Sequence, residues 1–136
     1  MIPRARDLLV ALALVACGTR PPPPAQPKPP DPKQLALLLH RDLTQLGEIA
    51  RRWRAKCTEL IAELRPHVAR MQLHSDEVKR ATRDAKLAAE LKAEVTAYDE
   101  QARGLSERIG EDLAASYLSC KDNPELRKVI DQIPEL

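Results

Sequence analysis

Through most of the chain, apolar residues return every three or four positions. From about residue 33, Leu39, Leu43, Leu46, Ala50, Trp53, Cys57, Leu60, Leu64, Val68 and Met71 follow one another at that spacing. Such a repeat is the seam of a helix lying lengthwise on others. Leu35, Leu38, Ile49 and Ile61 widen the stripe, as a bundle requires and a two-stranded coil does not. Pro66 stands between Leu64 and Val68, off the seam. It lacks a backbone donor, and because the repeat crosses it in register the expectation is a kink rather than an end.

A second start is expected at Ser75, with Asp76 and Glu77 at the positive end of the helix dipole. Val78, Ala81, Ala85, Ala88, Leu91, Val95, Tyr98 and Ala102 then form a further seam, alanine-rich in its first half. Gly104 readily supplies the left-handed residue that follows a helix. Beyond it Leu105, Ile109, Leu113, Tyr117 and Cys120 read as a third helix. Asn123-Pro124-Glu125 combines a cap, a first-turn proline and an acid, so a short fourth helix should run to about Gln132, with Pro134 stopping it. The fold class is all-α: an antiparallel three-helix bundle over residues 33–136 with a short C-terminal fourth helix. The alternative is a long two-helix hairpin, unbroken from Ser75 to Cys120.

Ahead of the helices the pattern changes. Residues 20–32 hold eight prolines in thirteen positions, which forbids helix and strand and favours polyproline II, rising about 3.1 Å per residue. The segment is a semi-rigid spacer on the order of 40 Å long, or alternatively a ligand for a proline-recognition module. Before it come Arg4 and Arg6, then an apolar run from Leu8 to Ala16. That run falls far short of the roughly 20 residues that span a bilayer, and charged start, short apolar middle and small residue mark a secretory signal.

Leu14-Val15-Ala16-Cys17 resembles the lipobox of bacterial lipoproteins. The resemblance covers residues 1–17 only. It implies a cleaved signal over residues 1–16, lipid on Cys17, and residues 17–32 as a tether to the membrane. Gly18 in the following position implies, by proteobacterial sorting, the outer membrane, with the domain facing the periplasm. Several acyl chains on one cysteine anchor a protein stably, where one holds it only marginally.

Composition narrows the rest. Trp53, Tyr98 and Tyr117 are the only aromatics besides histidine, and Phe is absent. The core is therefore built of Leu, Ala, Ile and Val, and few β-branched residues argue against a sheet. With 22 basic and 20 acidic side chains, no large field attracts nucleic acid.

With Cys17 taken by lipid, Cys57 and Cys120 are left in an oxidising compartment, where a pair of thiols is expected to be bridged. In the hairpin the two would lie on the order of 40 Å apart. Turns near residues 72–75 and 103–104 bring them within about 5 Å of the same height, so the three-helix reading makes the bridge feasible and sets Trp53 and Tyr117 beside it. No Cys-x-x-Cys redox spacing occurs.

Catalytic chemistry finds no pattern. His40, His67 and His74 lack metal-ligand spacing and read as surface residues, so no metal or other cofactor is expected. Ser106, Ser116 and Ser119 have no nucleophile-elbow context, and there is no phosphate-cradling glycine loop. Arg51, Arg52, Arg54 and Lys56 flank Trp53. They form either a basic patch for an anionic surface or, as we prefer, the partners of Glu107, Glu111 and Asp112. The functional expectation is a non-catalytic envelope lipoprotein whose helical domain scaffolds or recruits an envelope protein. The alternatives are a periplasmic small-molecule or lipid carrier and a stress holdase.

Overall fold

The computed structural model describes residues 22–24, 28 and 30–135. The signal segment and Cys17 lie outside the described residues, as does much of the spacer. Five helices follow in order: α1 (Pro32–Arg52), α2 (Cys57–Ala81), α3 (Ala85–Gln101), α4 (Leu105–Ser119) and α5 (Pro124–Asp131).

Four of the five starts have a local cause; α2 begins after Lys56 without a side-chain cap. Asp31 accepts from the Lys33 amide at 3.0 Å, with Pro32 in the first turn, where a missing N–H costs nothing. Asp84 accepts from the amides of Lys86 and Leu87. Asn123 accepts from that of Glu125, again with proline first. Gly104 stands at φ +76° between α3 and α4, a left-handed conformation that glycine adopts without steric cost.

The helices make three passes. α2 runs back against α1: the ring of His67 reaches the backbone carbonyl of Asp42, and Leu35 lies near Ala81. α3 and α4 then lie one after the other along α1 in its own direction, with His40 beside Tyr98, Gly47 beside Ile109 and Ala50 beside Ser116. α5 returns along α2, Arg65 meeting Glu125 and Gln72 meeting the Gln132 carbonyl. The architecture is therefore all-α, a bundle of three passes closed by a short C-terminal helix.

Its turns fall elsewhere than the repeat suggests. The chain reverses first at residues 53–56, inside what reads as one seam, and next at residues 82–84. Ser75 starts nothing: it is buried in the body of α2, which runs to Ala81. The four-residue turn after Arg52 keeps the three-and-four spacing in phase from Ala50 through Trp53 to Cys57, so periodicity alone does not register it. An amide of Lys56 donating to the Trp53 carbonyl closes that turn. Pro66 is accommodated within α2, on its exposed side. The break at Ala102–Gly104 is present as expected, but as an interruption within the third pass. The unbroken two-helix hairpin does not form.

That interruption is geometrically required. Between its pairings with Tyr98 and Ser116, α1 advances only from His40 to Ala50. At 1.5 Å per residue the third pass would outrun α1 by roughly 12 Å if it were one straight parallel helix. The break takes up the surplus.

The larger core cluster gathers Leu46, Leu60, Leu64, Val68, Met71, Ile109, Cys120, Leu126 and their neighbours from α1, α2, α4 and α5. A thinner one, of Leu35, Ala36, Ala81 and Leu91, fills the other end between α1, α2 and α3. No described helix is long and apolar enough to cross a membrane.

Candidate functional site

Cys57 opens α2 and Cys120 follows the last turn of α4, and the two are joined by a disulfide with Cα atoms 5.7 Å apart. The expected pairing thus forms, by a different route: the end of the third pass meets the start of the second beside the first turn. Trp53 packs against the cluster that holds Cys120. Tyr117 is 37% exposed on α4.

The basic run divides. Arg51 and Arg54 both reach the carboxylate of Asp112, at 3.3 and 2.7 Å, while Lys56 lies over the Trp53 ring at 5.5 Å. Asp112 is largely buried and the two guanidinium groups are half-exposed or more, so one acceptor gathers two cations at the end of α1. Arg52 is in no ion pair among the described residues, and Glu107 and Glu111 take no part. The ion pairs of Arg51 and Arg54 tie the first turn to α4, while Arg52 and Lys56 stay exposed.

The histidines depart from expectation because the tertiary packing turns them inward. His67 is fully buried. Its Nε2 lies 2.9 Å from the Asp42 carbonyl, and its Nδ1 lies 3.4 Å from the Arg70 guanidinium. A carbonyl can only accept and a guanidinium can only donate. The partners therefore assign the ring proton to Nε2. His74 sets Nδ1 2.7 Å from the carboxylate of Asp42, itself buried. A carboxylate–imidazole pair can orient a general base, but among the described residues no hydroxyl or thiol is hydrogen-bonded to His74. The cluster is a polar tie between α1 and α2. The 32-residue interval between Asp42 and His74 gave no local signal of it.

Among the described residues no three His, Cys, Asp or Glu side chains come together as metal ligands. Ser116, read as lacking a catalytic setting, is fully buried and donates to the Ala50 carbonyl at 3.1 Å. That carbonyl lies in the last turn of α1, where four acceptors lose their partners within the helix.

An apolar groove lies at the thin end of the bundle. It holds about 390 Å³ and runs between α1, the last turn of α2, and α3. Buried Ala36 and Leu91 form its floor, half-buried Leu43, Ala88 and Val95 its walls, and exposed Lys92 and Asp99 its rim. On one side His40 and Tyr98 stack, centroids 4.7 Å apart. The groove exists because small side chains meet where the core has no large aromatic to fill the gap. A hollow of about 610 Å³ lies where the spacer enters α1, walled in part by Lys28 and Pro30 of the spacer itself.

Comparison with models of protein families, with characterised proteins and with solved structures returns no match for the chain.

Proposed function

We propose that the chain is a bacterial envelope lipoprotein without catalytic activity, anchored through lipid on Cys17. In this reading the proline-rich spacer holds the helical domain off the membrane, and the domain scaffolds or recruits another envelope protein. The observation that carries it is Leu14-Val15-Ala16-Cys17 at the end of a short charged-then-apolar leader, followed after Gly18 and Thr19 by eight prolines in thirteen residues. The Cys57–Cys120 bond supports it, since structural disulfides belong to oxidising compartments such as the periplasm. So does the pattern of polar contacts, in which buried Asp42, His67, Asp112 and Ser116 all join one helix to another. Side chains engaged in this way serve the scaffold.

Intact-mass analysis of the protein purified from its own cells tests the anchor. The expected product begins at Cys17, carries acyl mass there and fractionates with the outer membrane. Cys17→Ala should leave residues 1–16 attached and abolish the acyl mass. An unmodified Cys17 with the leader still present would overturn the reading. Photocrosslinking from Leu73 and Leu118, large apolar residues about two-thirds exposed, tests recruitment: a discrete adduct in intact cells is expected, and its absence counts against a partner at those faces.

A further inference from the structure

We propose that the groove between α1, the last turn of α2, and α3 binds a single-chain amphiphile with a zwitterionic head. This goes beyond the scaffold reading and does not depend on where the protein is anchored.

Three observations lead to that ligand. First, the groove is built from aliphatic and alanine side chains, and Ala36 and Ala88 make the space that larger residues would occupy. An apolar chain laid over Ala36, Leu43, Leu91 and Val95 would complete the thin core cluster at this end of the bundle. Second, about 390 Å³ lies toward the lower end of the range of small-molecule sites. It suits one acyl chain and is too small for the paired chains of a diacyl lipid. Third, the rim is balanced. Lys92 and Asp99 stand seven residues apart on one face of α3, about 10 Å along the helix. Neither is in an ion pair among the described residues. A purely anionic head would meet Lys92 but face Asp99, and a purely cationic head the reverse. A head carrying both charges satisfies both.

The groove also differs in kind from the rest of the interior. At the other end of the bundle the space between passes is closed by Leu46, Leu60, Leu64 and Ile109 and by the disulfide. At this end no covalent link joins α3 to the helices beside it. His40 and Tyr98 line the groove as well, and both carry hydrogen-bonding groups.

The test uses the chain from Gly18 onward, which keeps all five helices and the bridge, with its far-UV spectrum and thermal midpoint reporting the fold. Octyl, decyl and dodecyl phosphocholine are titrated below their micelle concentrations by calorimetry and by NMR. The expected result is saturable one-to-one binding that tightens by about fourfold per methylene until the groove is full, with shifts confined to the groove-lining residues of α1, the last turn of α2, and α3. Decyl sulfate and decyltrimethylammonium should each bind several-fold more weakly than decyl phosphocholine. Lys92→Glu, an exposed change, should move the preference toward the cationic head. Ala88→Leu should weaken all three phosphocholines at least tenfold; if that variant does not fold, the Lys92→Glu result and the shift map decide. Absence of saturable binding, or shifts elsewhere on the bundle, would overturn the site. Tighter binding of the sulfate than of the phosphocholine would overturn the assignment of the head.

Discussion

At Gly47 the absence of a side chain is what lets two helices meet. A Cβ there would stand 2.8 Å from Cγ1 of Ile109, inside any tolerable contact. Gly47→Ala gains helix propensity of about 1 kcal/mol, but the overpacking should outweigh it and leave the fold about 1 kcal/mol less stable. Urea denaturation of a double-mutant cycle checks the cause: with Ile109→Ala present, Gly47→Ala should no longer destabilise. Ser116 supplies the second residue-scale test. Its hydroxyl satisfies a buried carbonyl at the end of α1, so Ser116→Ala should cost about 1–3 kcal/mol by orphaning that acceptor. The sequence offered a glycine and a serine without saying what each would face. Both are ordinary residues on a helix until a partner helix, sixty or more positions away, comes to lie against them.

At the scale of elements, the clearest starts were those written in local chemistry. Asn123-Pro124-Glu125 is a helix start in any context, and α5 begins there; Gly104 breaks the third pass for the same kind of reason. Asp31-Pro32 and Asp84 carry comparable signals, and the structure shows both in use. Ser75 carries one as well, yet it lies mid-helix, since a cap residue competes with continued helix only where packing allows the chain to turn. The docking of α5 depends on pH in a way that can be signed. Glu125 accepts from Lys128 at 3.0 Å and from Arg65 at 3.2 Å. The hydrogen bond and charge of Lys128, with a lesser contribution from Arg65, hold its carboxyl below the usual carboxylate range. A carboxyl depressed in the folded state stabilises above its unfolded value, and that stability is lost as pH falls through the folded one. Amide exchange in α5 should therefore quicken as pH drops through about 4 and below, after correction for intrinsic exchange. Glu125→Gln should remove that pH dependence. The group is exposed, so the effect should be small and diminish with salt.

Over the whole molecule the disulfide does most to define the topology. It closes a loop of 63 residues that contains α2, α3 and α4, while α1 packs against all three and α5 hangs outside. Chain-entropy arguments assign such a loop about 4 kcal/mol. Cys57→Ser with Cys120→Ser, or reduction, should lower stability in urea by roughly 2–5 kcal/mol. Helix content in the absence of denaturant should be retained, because the larger core cluster is built of leucine, isoleucine and valine from four helices. The groove end lacks any such covalent closure, so the same reduction should leave exchange at α3 less altered than at α4.

What the amino-acid order determined by itself was helical class, the start at Asn123-Pro124, the break at Gly104 and the shortage of large aromatic core residues. Each of these depends on a side chain's own preference or on a local spacing. Only the tertiary structure decided where the long seam reverses. A turn at residues 53–56 that preserves the three-and-four phase is invisible to periodicity and is selected by what it brings together: Leu46 with the leucines of α2, Arg51 and Arg54 with Asp112, and the two sulfurs. The same holds for buried His67, for the tie between Asp42 and His74, and for the groove beside Lys92. All three are produced by side chains on different passes, whose proximity is a property of packing and leaves no mark in the local sequence.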